Sequence, residues 1–173
     1  MARIPYPDVS EPPLSDLVAH IRAERGGRLP NLFLMHLHNP AVLEAWLSLG
    51  TALRYRTSLD QRSLELTVCY VSRLLDYDYQ WNAHAPLALK AGVDPEALEA
   101  LPTWRDVAGF SDRDRLVLGY VEAVSAATDI DDAVFTALRA AFTDQQVMEL
   151  TATAAFYGAG ARFLKALNVR NDE

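Results

Sequence analysis

The stretch Ser58-Leu-Asp-Gln-Arg-Ser-Leu-Glu-Leu-Thr-Val-Cys-Tyr-Val-Ser-Arg-Leu-Leu75 decides the fold. Ser58-Leu-Asp60 has the form of a helix cap. Behind it Leu64, Val68, Val71 and Leu75 recur at steps of four, three and four, the spacing of one helical face. The same reading extends outward in both directions. Pro40 opens a preceding helix carrying Val42, Leu43, Trp46, Leu47, Leu49 and Leu53. A following helix runs from about Tyr79 to Lys90 and stops at Gly92, and Asp94-Pro-Glu96 opens a short one through Leu101.

The flanks behave alike. Residues 1–13 hold Pro5, Pro7, Pro12 and Pro13 and read as an extended arm. Ser15 to Arg25 is a first helix ended by Gly26-Gly27, and residues 31–38 form a short apolar run before Asn39-Pro40. Pro102 to Gly109 reads as a loop. Ser111 to Asp114 and Thr143 to Gln146 both have capping-box spacing, the second before an apolar helix reaching about Leu167. Residues 131–142 form an amphipathic helix between them. No strand-like alternation of useful length occurs. The expected fold is all-α: a single-domain helical bundle of about eight helices over residues 14–173, behind the arm.

Composition narrows the function classes. The chain has 173 residues, half of them apolar, and a net charge of −7. It carries no run of Lys or Arg, which argues against a nucleic-acid partner. No apolar stretch is long enough to span a membrane, and the N-terminus lacks the apolar core of a signal peptide. The single cysteine, Cys69, cannot form an internal disulfide or a multi-cysteine metal site, so a reducing cytoplasm is the expected compartment.

Four histidines are present. His20 has polar neighbours and reads as a surface residue. His36 and His38 make an H-x-H pair with no third ligand nearby, so packing is the favoured reading over metal binding. His84 stands one turn into a helix, after Tyr77-Asp-Tyr-Gln-Trp-Asn-Ala. Glu65, between Leu64 and Leu66, is a carboxylate on an apolar helix and needs a partner if it faces inward. A His–Glu pair orients the ring and suits it to proton transfer. Spacing alone leaves open a solvent-facing Glu65 and a helix-end His84. Cys69 reads as a small buried apolar residue, and Trp46, Trp81 and Trp104 as core.

Arg62-Ser-Leu-Glu65, then Tyr79-Gln-Trp-Asn-Ala-His84, then Ala91-Gly92 resembles the core of the carboxymuconolactone decarboxylase and alkylhydroperoxidase D superfamily. The resemblance continues through Leu29 to Phe33, Asn39 to Trp46, and Thr143 to Leu150 with Phe156-Tyr157 and Arg162-Phe163. It implies Glu65 and His84 as catalytic residues. It also places the family's Cys-x-x-Cys pair on Tyr77 and Gln80, where no thiol exists. The disulfide-cycling peroxidase mechanism is thereby excluded. The remaining branch implies a cofactor-free lyase acting on a small carboxylated or lactone-like molecule, by decarboxylation or a related isomerisation or elimination. Its carbanion is conjugated to a carbonyl and protonated by His84.

Tyr77, Tyr79, Gln80 and Trp81 are the expected substrate-binding residues, with Arg73 as a weaker candidate for a substrate carboxylate. Arg54, Arg56, Tyr157 and Arg162 are further possible neighbours. The alternative is a catalytically silent helical module that binds a small molecule or a partner. The resemblance also implies a homo-oligomer, a trimer or hexamer. The uncovered-looking runs Phe33 to Leu37 and Thr151 to Tyr157 agree with that expectation.

Overall fold

The structure is a computed structural model that describes residues 1–24, 26–126 and 129–170. The expected end of the first helix at Arg25 falls outside them. Among the described residues there are nine α-helices and one 3₁₀ helix, and no strand. The α-helices are α1 Leu14–Glu24, α2 Asn31–His36, α3 Pro40–Tyr55, α4 Gln61–Leu74, α5 Asp78–Lys90, α6 Pro95–Glu99, α7 Asp112–Ala126, α8 Asp132–Ala141 and α9 Asp144–Leu167. The 3₁₀ helix, Leu101–Asp106, occupies what reads in the sequence as loop. Pro102 sits in its first turn, and Leu101 and Trp104 are its buried residues. Two anchors within six residues are too few to show a period.

The chain gathers into two compact units: Met1–Thr51 with the segment from Phe163 onward, and Ala52–Arg162. In the first, Val18, Ile21, Phe33, Leu37 and Leu43 form the core. In the run Phe33 to Leu37, Phe33, Met35, His36 and Leu37 are buried, and Phe33 and Leu37 belong to this core. The arm is held by its own unit too. The Arg3 backbone N–H donates to the Leu167 carbonyl at 2.8 Å, and Asn168 Nδ2 donates to the Met1 carbonyl at 2.7 Å.

The second unit is built round α4. Asp60 caps it, its side chain accepting from the Ser63 N–H at 2.8 Å. The apolar spacing predicts a one-sided helix, but every residue from Ser63 to Ser72 is buried. The polar ones are satisfied locally. Thr67 Oγ1 donates to the Ser63 carbonyl at 2.8 Å, and Ser72 Oγ donates to the Val68 carbonyl at 2.7 Å. Around α4 lie Trp81 and Ala88 of α5, Val117, Leu118 and Val121 of α7, Leu138 of α8, and Leu150 and Ala154 of α9. Trp104 of the 3₁₀ helix donates to Tyr70 Oη at 2.9 Å.

A salt bridge fixes the rotation of α4. Arg62 Nε and Nη2 donate to both oxygens of Asp114, each at 2.9 Å, and Nη1 donates to the Gly92 carbonyl just after α5. Asp114 in turn accepts from Ser111 N and Oγ at 2.9 and 2.8 Å, while its own N–H donates back to Ser111 Oγ at 3.2 Å. This is the expected capping box. The second box is present as well: Thr143 N–H donates to Gln146 Oε1 at 3.1 Å and Gln146 N–H to Thr143 Oγ1 at 3.2 Å.

Candidate active site

Glu65 lies one turn into α4 and is fully buried, at 0% exposure. Burying a carboxylate is costly unless its oxygens are paired. Here both are. Oε2 lies 2.7 Å from His84 Nδ1, and Oε1 accepts from Gln61 Nε2, one turn earlier on α4, at 2.7 Å. His84 comes from α5 and is 7% exposed. Its Nδ1–H donates to the carboxylate, which leaves Nε2 as the ring nitrogen with a lone pair. Burial pushes the His84 pKa below the usual imidazole value. Glu65 opposes that shift, and the positive charge of Arg54 adds to it. At neutral pH the ring is therefore a neutral base whose conjugate acid has a carboxylate waiting beside it.

Two further helices complete the surroundings. Tyr157 of α9 meets His84 edge-on, with ring centroids 5.0 Å apart and planes at 84°. Burial raises its pKa against the lowering effect of Arg54, so the phenol keeps its proton. Arg54, in the last turn of α3, is half-buried, and the Tyr157 phenol is among the groups that act on its charge. Its Nε donates to Tyr55 Oη at 3.1 Å. Burial opposes the Arg54 charge, but Tyr157, Glu65 and Tyr55 more than compensate and raise its pKa.

The expected lining residues have other attachments. Gln80 is buried and donates through Nε2 to Ser72 Oγ at 3.0 Å. Trp81 is a core residue with the Arg73 guanidinium stacked 3.4 Å above its ring. Arg73 also faces Asp78 Oδ1 at 3.7 Å and Glu99 Oε2 at 3.5 Å. That is the environment of a helix-end cation. Tyr77 and Tyr79 stack on one another at 6.3 Å. The aromatic ring against the imidazole is that of Tyr157. Arg162 donates to the Ser125 carbonyl at 3.2 Å.

Cys69 is fully buried, and burial, with Glu65 next, pushes its thiol up to about 12. Such a thiol is not a nucleophile at neutral pH. His36 and His38 bind backbone carbonyls, of Leu32 at 2.7 Å and of Pro5 at 2.9 Å. Gln61, as the second partner of the carboxylate, is the residue that sequence reasoning missed. Its signal was present as a Gln–Glu pair at i, i+4.

Residues 40–123, which include Glu65 and His84, match the carboxymuconolactone decarboxylase family model. The uncharacterized protein YnjA of Escherichia coli K12 is 28% identical over 144 residues, 83% of this chain and 74% of that protein. The crystal structure of a peroxidase-related protein with an alkylhydroperoxidase AhpD core, from Ralstonia eutropha JMP134, superposes with a TM-score of 0.83 at 24% identity, covering 99% of this chain and 93% of its own. A debrominase solved in complex with 2,3,4-tribromopyrrole superposes with a TM-score of 0.78 at 18% identity, covering 96% and 90%. At these identities the structures show a shared fold, and a fold by itself does not fix the chemistry. Residues 40–123 thus carry a match to the carboxymuconolactone decarboxylase family, in a chain that shares its fold with an AhpD-core protein and holds a single cysteine, Cys69.

Proposed function

We propose that the protein is a cofactor-independent acid–base enzyme acting on a small carboxylated or lactone-like substrate, a decarboxylase-like lyase or related isomerase. The observation that carries this reading is the 2.7 Å contact between the fully buried Glu65 carboxylate and His84 Nδ1. It fixes the tautomer so that Nε2 takes the proton first and returns it later to a different carbon, the imidazolium between the two steps being stabilised by Glu65. Where carbon dioxide is lost, the electron pair of the broken C–C bond enters an enolate, and carbon takes its proton from a His84 imidazolium that has drawn it from solvent, which regenerates the carbonyl.

The family match and the absence of a second cysteine support an acid–base reaction over thiol cycling. The reading includes residence in a reducing cytoplasm, and among the described residues no helix is long and apolar enough to cross a membrane. It also includes self-association as a trimer or hexamer. Val42 and Leu49, one face of α3, are 49% and 50% exposed and supply an apolar stripe. Light scattering at micromolar concentration measures that assembly; a monomer mass refutes it.

The reaction is tested in D₂O with a panel of carboxylated unsaturated lactones and enolisable keto acids. Mass spectrometry reads loss of carbon dioxide and deuterium uptake. Expected is turnover or exchange by the wild type above the His84→Ala protein. Equal behaviour of the two proteins across the panel refutes the acid–base reading.

A further inference from the structure

Among the described residues, five arginines sit against carboxylates, whereas Arg54 and Arg115 do not, Arg115 donating to the backbone carbonyls of Trp104, Arg105 and Val107. Arg62, Arg73, Arg105, Arg113 and Arg139 each have a carboxylate within ion-pair distance: Asp114, Asp78 with Glu99, Glu122, Asp60 and Asp144. The described hydrogen-bond partner of Arg54 is instead a neutral phenol. Its Nε donates to Tyr55 Oη at 3.1 Å, the Tyr55 ring lies 5.6 Å from its guanidinium carbon, and the Tyr157 phenol also acts on its charge. The carboxylate whose field it feels, Glu65, has both oxygens taken by His84 and Gln61. A half-buried guanidinium without a direct counter-ion carries a desolvation cost that an incoming anion removes. Arg73, the other candidate cation, already lies between Asp78 and Glu99 on the Trp81 ring.

Tyr157 connects this cation to the base: burial raises the pKa of the phenol and Arg54 lowers it, while the ring meets His84 at 5.0 Å. Resting on the acid–base reading above, we infer that Arg54 is the anion receptor of the His84 site, holding the carboxylate or developing enolate oxygen of a monoanionic substrate with the Tyr157 hydroxyl as second donor. The planar fork of a guanidinium matches a carboxylate in two-point contact, and the phenol adds a third donor. Specificity follows from this arrangement: the substrate is an acid in its anionic form, and its amide or ester is rejected. An anion seated there also places a negative charge near the imidazole and raises the basicity of Nε2 when substrate is bound.

Benzoate and its neutral isostere benzamide, at constant ionic strength, are the probes. Proton NMR follows the His84 Cε1–H resonance, assigned by its loss in His84→Ala. In the wild type, benzoate shifts the resonance saturably and raises the titration midpoint of His84, and benzamide does neither. Arg54→Gln weakens benzoate by about tenfold or more. Arg54→Lys recovers part of the loss, and Tyr157→Phe weakens binding less than Arg54→Gln. Without any probe, Arg54→Gln moves the His84 midpoint upward, because a neighbouring positive charge is gone. Equal benzoate affinity in the wild type and Arg54→Gln, or no benzoate response in the wild type, overturns the assignment. The two proposals fail separately. Arg54-dependent benzoate binding without any exchange activity refutes only the reaction, and exchange activity without it refutes only the receptor.

Discussion

Two buried imidazoles, one in each unit, make a natural pair. His36 is 4% exposed and His84 is 7% exposed. Each donates Nδ1–H to an oxygen at 2.7 Å, and each has its pKa lowered by burial. What differs is the acceptor and the far side of the ring. His36 bonds to the carbonyl of Leu32 on its own helix, and its ring is closed in by Phe163 at 4.1 Å and Trp46 at 4.9 Å. His84 bonds to a carboxylate on a different helix, with a phenol and a guanidinium beyond it. A carbonyl fixes a ring without preparing for its charge, whereas a carboxylate does both. Burial and a lowered pKa therefore do not by themselves mark a working histidine. The charged acceptor does.

The widest separation between the two is expected in turnover. His84→Ala should reduce the rate on a competent substrate by about 10²–10⁴-fold, the usual contribution of a positioned acid–base group. His36→Phe should leave it unchanged. Steady-state rates on purified, folded variants check this, and loss of activity in His36→Phe alone would dissolve the contrast.

Replacing the charged acceptor by a neutral one makes the second site resemble the first. Glu65→Gln keeps the shape but removes the charge, and should cost about 1.5–3 kcal/mol of transition-state stabilisation, roughly 10–100-fold in rate. The His84 titration midpoint should fall further, since Glu65 is what raises it. An unchanged midpoint by NMR would show that the carboxylate only positions the ring.

Stability treats the two rings alike. Both are held below their ordinary value of 6.5 in the folded chain. Below about pH 6.5 the unfolded chain binds more protons than the folded one, so stability falls as pH falls. The contribution is complete above that pH and is lost as the pH drops toward the lower folded values. Thermal unfolding between pH 7.5 and 5.5 should show this decline, and His36→Phe should flatten it in part. A melting temperature that rises on acidification would contradict both burials. The smallest effect is assigned to Cys69→Ser, which should keep the rate within about twofold, since a deeply buried, protonated thiol has no part in proton transfer. A larger loss in a folded variant would return the thiol to the chemistry.

The sequence makes the helices legible because their signals are local. Asp60, Ser111 and Thr143 act as caps where their spacing predicts, and Pro40 starts a helix. Glu65 and His84 were readable as a pair only because their separation matches a family pattern; nothing in helical periodicity brings α4 and α5 together. Tyr77, Gln80 and Trp81 stand seven, four and three residues before His84, spacings of one helical face, and the structure gives Gln80 a bond to Ser72 and Trp81 a place in the core beneath Arg73. Tyr157 arrives from α9, outside the segment that matches the family model, and Arg54 from the end of α3. Arg73 and Arg54 both read as helix-end cations, and only the fold shows which has carboxylate partners.

The start of α4 concentrates four attachments in six residues: the cap at Asp60, the amide of Gln61, the salt bridge of Arg62 and the carboxylate of Glu65. On a helix each residue advances by about 100°, so these attachments share one angular phase. Deleting or inserting a single residue between Arg62 and Glu65 would leave composition and length almost untouched. It would nevertheless turn the carboxylate by about 100° relative to the bridge that clamps the helix. The first turn of α4 thus tolerates changes of side chain far better than changes of count. A homologue with one residue gained or lost there must have lost either the bridge or the His84 contact.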